Sequence, residues 1–149
     1  MTNHVNKSKT YSTFSIDKFY FGILTTEVTE LTKDIEVTPV PLAPKAVYGL
    51  VNLRGQIATA INMRNCLGIT TSEYSEKSIT LFISRQGGLF GLLVDSVSDI
   101  VEVEEANFEP PPSNLPEVAR ELIVGVYKLS DRLLFVLDPA KLIDGIQLN

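Results

Sequence analysis

The sequence predicts a mainly β protein in which two similar small barrels pack side by side, with short helices attached. The first observation is an internal duplication: the run from Val47 to Ile69, VYGLVNLRGQIATAINMRNCLGI, returns in pattern between Ile123 and Ile143. Setting Gly49 on Gly125 brings Leu53 to Leu129, Ile57 to Leu133, Ile61 to Leu137, Asn62 to Asp138 and Leu67 to Ile143 without a gap. Setting Gly22 on Gly91 likewise brings Phe21 to Phe90, Val28 to Val97, Glu30 to Asp99 and Leu31 to Ile100. The second observation is a series of short aliphatic and aromatic segments broken by turn residues, which reads as strands. Third, two similar sets of short strands cannot bury their faces as one flat sheet, whereas closure into barrels removes the exposed edges. A single duplication is not a solenoid, which stacks many short units.

The elements follow in order. Met1 to Thr10 is polar and reads as a flexible tail, so the domain is expected over 11–149, as two intertwined barrel halves at about 11–71 and 78–149. The crossover between them is expected near Ser72–Lys77. Tyr11–Ile16 and Phe19–Leu24 read as strands broken at Asp17-Lys18. Val28-x-Glu30-Leu31 is an element repeated as Val97-x-Asp99-Ile100, in which Glu30 and Asp99 have an alternative role as caps of short helices. Val47–Leu53 and Gln56–Asn62 form a hairpin turning at Arg54-Gly55. Ser78–Ser84, Leu89–Asp95 and Ile100–Val103 are further strands, with Gln86-Gly87-Gly88 as a turn. Leu122–Leu129 pairs with Arg132–Leu137 around Ser130-Asp131.

Each hairpin delivers the chain into a short helix. Asn62 and Asp138 stand at N-cap positions, Pro139 takes the first helical position of the second copy, and Gly68 and Gly145 mark the expected stops. Pro39–Pro44 and Pro110–Pro116 are rigid extended joints. Gly22 and Gly91 lie inside strands, which marks a bend or a close approach of another chain segment.

Composition narrows the function. A chain of 149 residues has a one-domain prior. Its net charge of −5 opposes nucleic-acid binding, which needs a basic stripe to replace counterions, and favours protein partners. Cys66 is the single cysteine, so no intrachain disulfide is available and a reducing, cytoplasmic setting is expected. No segment has the length of a membrane span, and the N-terminus lacks the apolar core of a signal peptide. His4, the single histidine, lies in the tail, which argues against Ser-His or Cys-His catalysis. Phosphate-loop, dinucleotide and nucleophile-elbow motifs are missing. Asp95, Asp99, Glu102, Glu104 and Glu105 lack the spacing and glycine of a calcium loop and read as solvated charges. No catalytic residue, metal or cofactor is expected.

The two hairpin turns differ in one telling way. Gly55 aligns with Asp131, both tolerant of left-handed backbone, but Arg54 aligns with Ser130. The turn itself therefore does not require arginine, and a guanidinium at a hairpin tip suits a two-pronged grip on a partner's carboxylate. A solvated surface arginine is the plainer alternative. Val28, Leu31, Val97 and Ile100 occupy matched places, as core or as the lining of one shared cleft. Cys66 reads as a small buried hydrophobe.

Tyr48-Gly-Leu-Val-Asn-Leu-Arg-Gly55, Phe90-Gly-Leu-Leu-Val-Asp-Ser-Val-Ser-Asp-Ile100, Glu109-Pro-Pro-Pro112 and Ile123-Val-Gly-Val-Tyr-Lys-Leu-Ser-Asp-Arg-Leu133, in this order, resemble the CheW family of chemotaxis coupling proteins from about Ser12 onward. The resemblance implies two five-stranded barrels around a shared core, no catalysis, and a cytoplasmic adaptor recruited to membrane receptor arrays. It implies as partners the cytoplasmic helices of chemoreceptors and the regulatory domain of the histidine kinase CheA. Arg54 falls on the family's coupling arginine, Val28 and Glu30 on a valine and glutamate of the first barrel, and Val97 and Ile100 on an apolar pair lining the groove that holds the receptor helix. Gly49 and Gly91 match family glycines and read as structural. Thr59 stands where many relatives have Pro, Asn62 where they have Asp, and Leu24 replaces a frequent Asp. The alternatives are a coupler of a pilus-motility or other chemosensory-like pathway and, from a different class, a small acidic β-barrel enzyme.

Overall fold

Strands form where aliphatic and aromatic residues alternate with polar ones. In the computed structural model, which describes residues 7–33, 35–70 and 79–147, they run as β1 (Ser8–Ile16), β2 (Phe19–Leu24), β3 (Val28–Lys33), β4 (Val47–Leu53) and β5 (Gln56–Ile61), followed by helix α1 (Met63–Leu67). The second half gives β6 (Ile79–Arg85), β7 (Gly88–Val94), β8 (Ser96–Glu104), α2 (Glu117–Leu122), β9 (Ile123–Lys128), β10 (Leu133–Leu137) and α3 (Pro139–Gln147).

The ten described strands make two five-stranded sheets, β8-β1-β2-β10-β9 and β3-β6-β7-β5-β4. Neither sheet coincides with a half of the sequence, in contrast to barrels bounded at about 11–71 and 78–149. Each takes the first two strands of one half and the last three of the other. Two parallel pairs join the halves, with Phe21 and Gly22 of β2 opposite Phe135 and Val136 of β10, and Phe90 and Gly91 of β7 opposite Thr59 and Ala60 of β5. Parallel neighbours cannot be connected by a hairpin, so these partners come from distant chain. The same register in both pairs preserves the duplication.

Side-chain alternation sorts the apolar residues into three cores. Tyr11, Tyr20, Tyr127, Leu134 and Val136 fill the inside of the first sheet, and Val51, Ala58, Ala60, Phe82, Leu89 and Leu93 fill the second. The opposite faces share one core: Phe14, Ile16, Phe21 and Ile23 meet Ile61, Leu81, Ile83, Phe90 and Leu92. Residues of all three helices join that shared core. Gly49 and Gly125 permit matched close approaches: a Cβ would strike the Thr38 carbonyl at the first and the Phe108 ring at the second. There Thr38 bridges Leu50, and Glu109 bridges Val126.

Several expectations need correction. Ser8–Thr10 belong to β1 and not to the tail, because β8 runs nine residues and offers Glu104, Val103 and Glu102 as partners. Glu30 and Asp99 lie within β3 and β8 and cap no helix. Asn62 and Asp138 do cap α1 and α3, accepting from the Asn65 and Ala140 amides, and Gly68 ends α1 in left-handed backbone. Gly145 does not stop α3, since Leu142, Ile143 and Ile146 anchor the helix in the core and outweigh a cost of about 1 kcal/mol for one glycine. Helix α2 follows Pro116, where the sequence suggested only a rigid joint. The crossover expected at Ser72–Lys77 lies outside the described residues.

Candidate functional site

Arg54 and Gly55 turn the β4–β5 hairpin with φ of 52° and 89°, and Asn52 Oδ1 accepts from the Gly55 amide at 2.8 Å. Two successive positive φ values define a tight turn that prefers Asn, Asp or Gly at its first position. Arginine is therefore a strained occupant, held at a cost of about 1 kcal/mol or more. The sister loop differs: neither Ser130 nor Asp131 takes positive φ, so turn geometry is not kept between the copies.

The Arg54 side chain is 77% exposed and its Nη1 donates to Glu30 Oε1 at 2.5 Å. Glu30 is 21% exposed, and its other oxygen accepts from Thr32 Oγ1 at 3.2 Å. Since β3 and β4 are the two outer strands of their sheet, this pair crosses the seam where the sheet curls back on itself. Sequence reading nominated both residues separately; the fold joins them.

Register locates the four aliphatic candidates. Val28 stands opposite Ile83 and Leu31 opposite Leu81, with a bulge in β3 between them. Val97 stands opposite Phe14 and Ile100 opposite Ser12, with a matching irregularity. Directly paired residues share a sheet face, so each bulge puts both members of its pair on the face turned toward the shared core. Val28 and Val97 are half-buried against that core. Leu31 and Ile100 are 47% and 61% exposed.

The described cavities are lined by other residues. An apolar hollow of about 240 Å³ lies between the β1–β2 turn, the end of α1 and the start of α2, walled by Phe19, Leu67, Ile69, Leu115 and Phe135. A polar one of about 550 Å³ opens beside Lys9, Tyr11, Glu27, Glu105 and Tyr127. Burial and a hydrogen bond with Tyr127 push the Tyr11 phenol far above its ordinary value, so it stays protonated and supplies no general base. Among the described residues no three His, Cys, Asp or Glu side chains group as a metal site. Burial pushes the Cys66 thiol up to about 11, which keeps it protonated and unreactive.

One part-buried ion pair is not visible in the sequence. Arg64 of α1 is 8% exposed and grips Asp95 with both prongs, Nη1 to Oδ1 at 2.8 Å and Nη2 to Oδ2 at 2.7 Å. Asp95 also accepts from the Asp17 amide at 2.6 Å. Burial raises the Asp95 carboxyl's affinity for a proton, but Arg64 and the Asp17 amide outweigh it and hold the pKa below the ordinary value. Asp95 is thus no solvated strand-end charge. The available signal was its place between two β strands beside an arginine-bearing helix, which only the fold brings together.

A family model described as a CheW-like domain matches residues 10–147. The chain belongs to the CheW-like family. It is 29% identical over 141 residues to the chemotaxis protein CheW of Treponema pallidum (strain Nichols), covering 92% of this chain and 83% of that protein. Identity to the chemotaxis protein CheW of Rhizobium meliloti (strain 1021) is 30% over 101 residues, 68% of this chain and 65% of that relative's length. The crystal structure of scaffolding protein TtCheW from Thermoanaerobacter tengcongensis superposes with a TM-score of 0.80 at 27% identity, covering 89% of this chain and 90% of that one. This CheW-like chain is a chemotaxis adaptor and not an enzyme, as the coupling and scaffolding proteins of its family are. Among its described residues no helix is long and apolar enough to cross a membrane.

Proposed function

We propose that this adaptor joins the cytoplasmic helices of chemoreceptors to the regulatory domain of a CheA-type histidine kinase, as a cytoplasmic protein recruited to receptor arrays. Ile100 carries this reading: it is a large aliphatic side chain, mostly in solvent, on the core-facing side of an outer strand and beside the half-buried Val97. An amphipathic receptor helix supplies apolar anchors at helical spacing that cover such side chains. Val28 and Leu31 extend the same kind of surface along β3. The Arg54–Glu30 corner serves the kinase, where an exposed guanidinium at a strained turn meets a partner's acidic group.

The test is a pull-down with a receptor cytoplasmic fragment and, separately, the kinase regulatory domain. Ile100→Asp is expected to abolish receptor capture, because docking would bury an unpaired carboxylate, and to leave kinase capture intact. Receptor capture at the wild-type level by the folded variant would refute the assignment of Ile100.

A further inference from the structure

The duplication predicts a near two-fold molecule, yet two arginines break it. Arg54 aligns with Ser130 and Arg64 with Ala140. The first lies beside β3 and the second beside β8, the strands that begin where the chain passes from one sheet to the other. At the first passage, β2 to β3, three residues form a 3-10 turn, Thr25–Glu27, and Thr26 occupies the place that corresponds to Asp95. At the second, β7 to β8, Asp95 alone makes the step.

Asp95 is fastened on three sides. Its amide donates to the Ser15 carbonyl of β1 at 3.0 Å. Its carboxylate receives the Asp17 amide from the left-handed corner of the β1–β2 turn and both prongs of Arg64 from α1. The first two contacts belong to the sheet that β8 joins, whereas α1 follows directly on β5 of the other sheet. A guanidinium and a carboxylate in a planar two-pronged pair fix relative orientation as well as distance, which a single hydrogen bond does not. Val97 follows Asp95 by two residues, and Ile100 stands one bulge beyond.

We propose that Arg64 and Asp95 are positioning residues for partner binding, pinning the start of β8 to α1 and the β1–β2 turn and so setting where Val97 and Ile100 stand. This rests on the receptor reading of the β8 edge given above. The pair touches no partner. It acts through the strand, whereas at the start of the β3 edge Glu27 faces Arg85 at 3.9 Å, a single long contact in place of the two-pronged pair.

Two variants test it, read by amide hydrogen exchange and by binding to the receptor fragment and the kinase domain. Arg64→Lys keeps the charge and loses the fork. The expected result is faster exchange at the β8 amides around Val97–Ile100 with β9 and β10 unchanged, about tenfold weaker receptor binding, the scale of one charge-assisted hydrogen bond, and unchanged kinase binding. The double variant Arg64→Met with Asp95→Asn leaves no lone buried charge, so it recovers folding stability. Its receptor binding is expected to stay weak, because the neutral pair does not restore the fork. Wild-type exchange in β8 and wild-type receptor affinity in that double variant would overturn the proposal and reduce the pair to a stabilising contact. If the wild-type chain fails to bind the receptor fragment, the receptor reading fails, while the exchange measurement still decides whether the pair pins β8.

Discussion

Arg54→Gly separates what the arginine does for the fold from what it does for partners. Three effects set its influence on stability. The ion pair with Glu30 involves a guanidinium 77% in solvent, and exposed pairs of that kind contribute about 0 to 1 kcal/mol. Against that loss, glycine relieves a non-glycine residue at φ 52°, worth about 1 kcal/mol. Glycine also frees the unfolded chain, which takes back about 0.4 to 1 kcal/mol. The sum lies within about 1 kcal/mol of zero, a melting-temperature shift within about 2–4 °C for a chain of this size. Calorimetry reads that shift, and a pull-down of kinase and receptor fragments reads assembly, which is expected to weaken. A drop well beyond that range would mean that the guanidinium holds the seam between β3 and β4 closed. Undiminished assembly at unchanged stability would refute its role in contact with partners.

Other outcomes follow from the same geometry. The Asp95 carboxyl has a folded-state pKa below its ordinary value of about 3.9, so its stabilising contribution is complete above that value and lost as pH falls through the folded-state pKa. The stability gap between wild type and Asp95→Asn, from urea unfolding, is expected to be widest near neutral pH and to shrink in acid; a gap constant with pH would contradict this. Phe14→Ala empties a fully buried site in the shared core and breaks a stack with Phe21, costing about 3–5 kcal/mol. Both sheets should still melt in one calorimetric transition, and two transitions would show that the shared core does not couple them. Gly125→Ala drives a Cβ against Phe108 and to 2.6 Å from the Glu109 carbonyl, costing about 1–3 kcal/mol, whereas Gly145→Ala meets open space inside a helix and gains about 0.5–1 kcal/mol. Thermal melts with those signs reversed would contradict the packing described.

The duplication was legible because Gly22, Gly49, Gly91 and Gly125 fix a register that survives divergence of the residues around them. Strand positions were legible for the same physical reason that strands form: alternation assigns each residue to a face. Alternation does not choose a neighbour, and so the exchange of strands between halves, set by the parallel β2–β10 and β5–β7 pairs, lay beyond it. Strand β3 was visible only as a short pattern, since Thr29, Glu30, Thr32 and Lys33 give it little apolar weight. Arg54 and the four aliphatics emerged as candidates from comparison of the two copies, and Glu30 from the family resemblance. The Arg54–Glu30 contact and the Arg64–Asp95 pair did not, because each joins segments 24 and 31 residues apart whose meeting depends on how the sheet curls and where α1 packs.

The proposed adaptor role requires one chain to hold a receptor helix and a kinase domain at the same time through separate edges. Size-exclusion chromatography of the chain mixed with a receptor cytoplasmic fragment and the CheA-type regulatory domain tests it directly. A single peak containing all three components is expected, with the kinase domain retained after Ile100→Asp removes the receptor fragment. Mutually exclusive binding, in which added receptor fragment displaces the kinase domain, would contradict it.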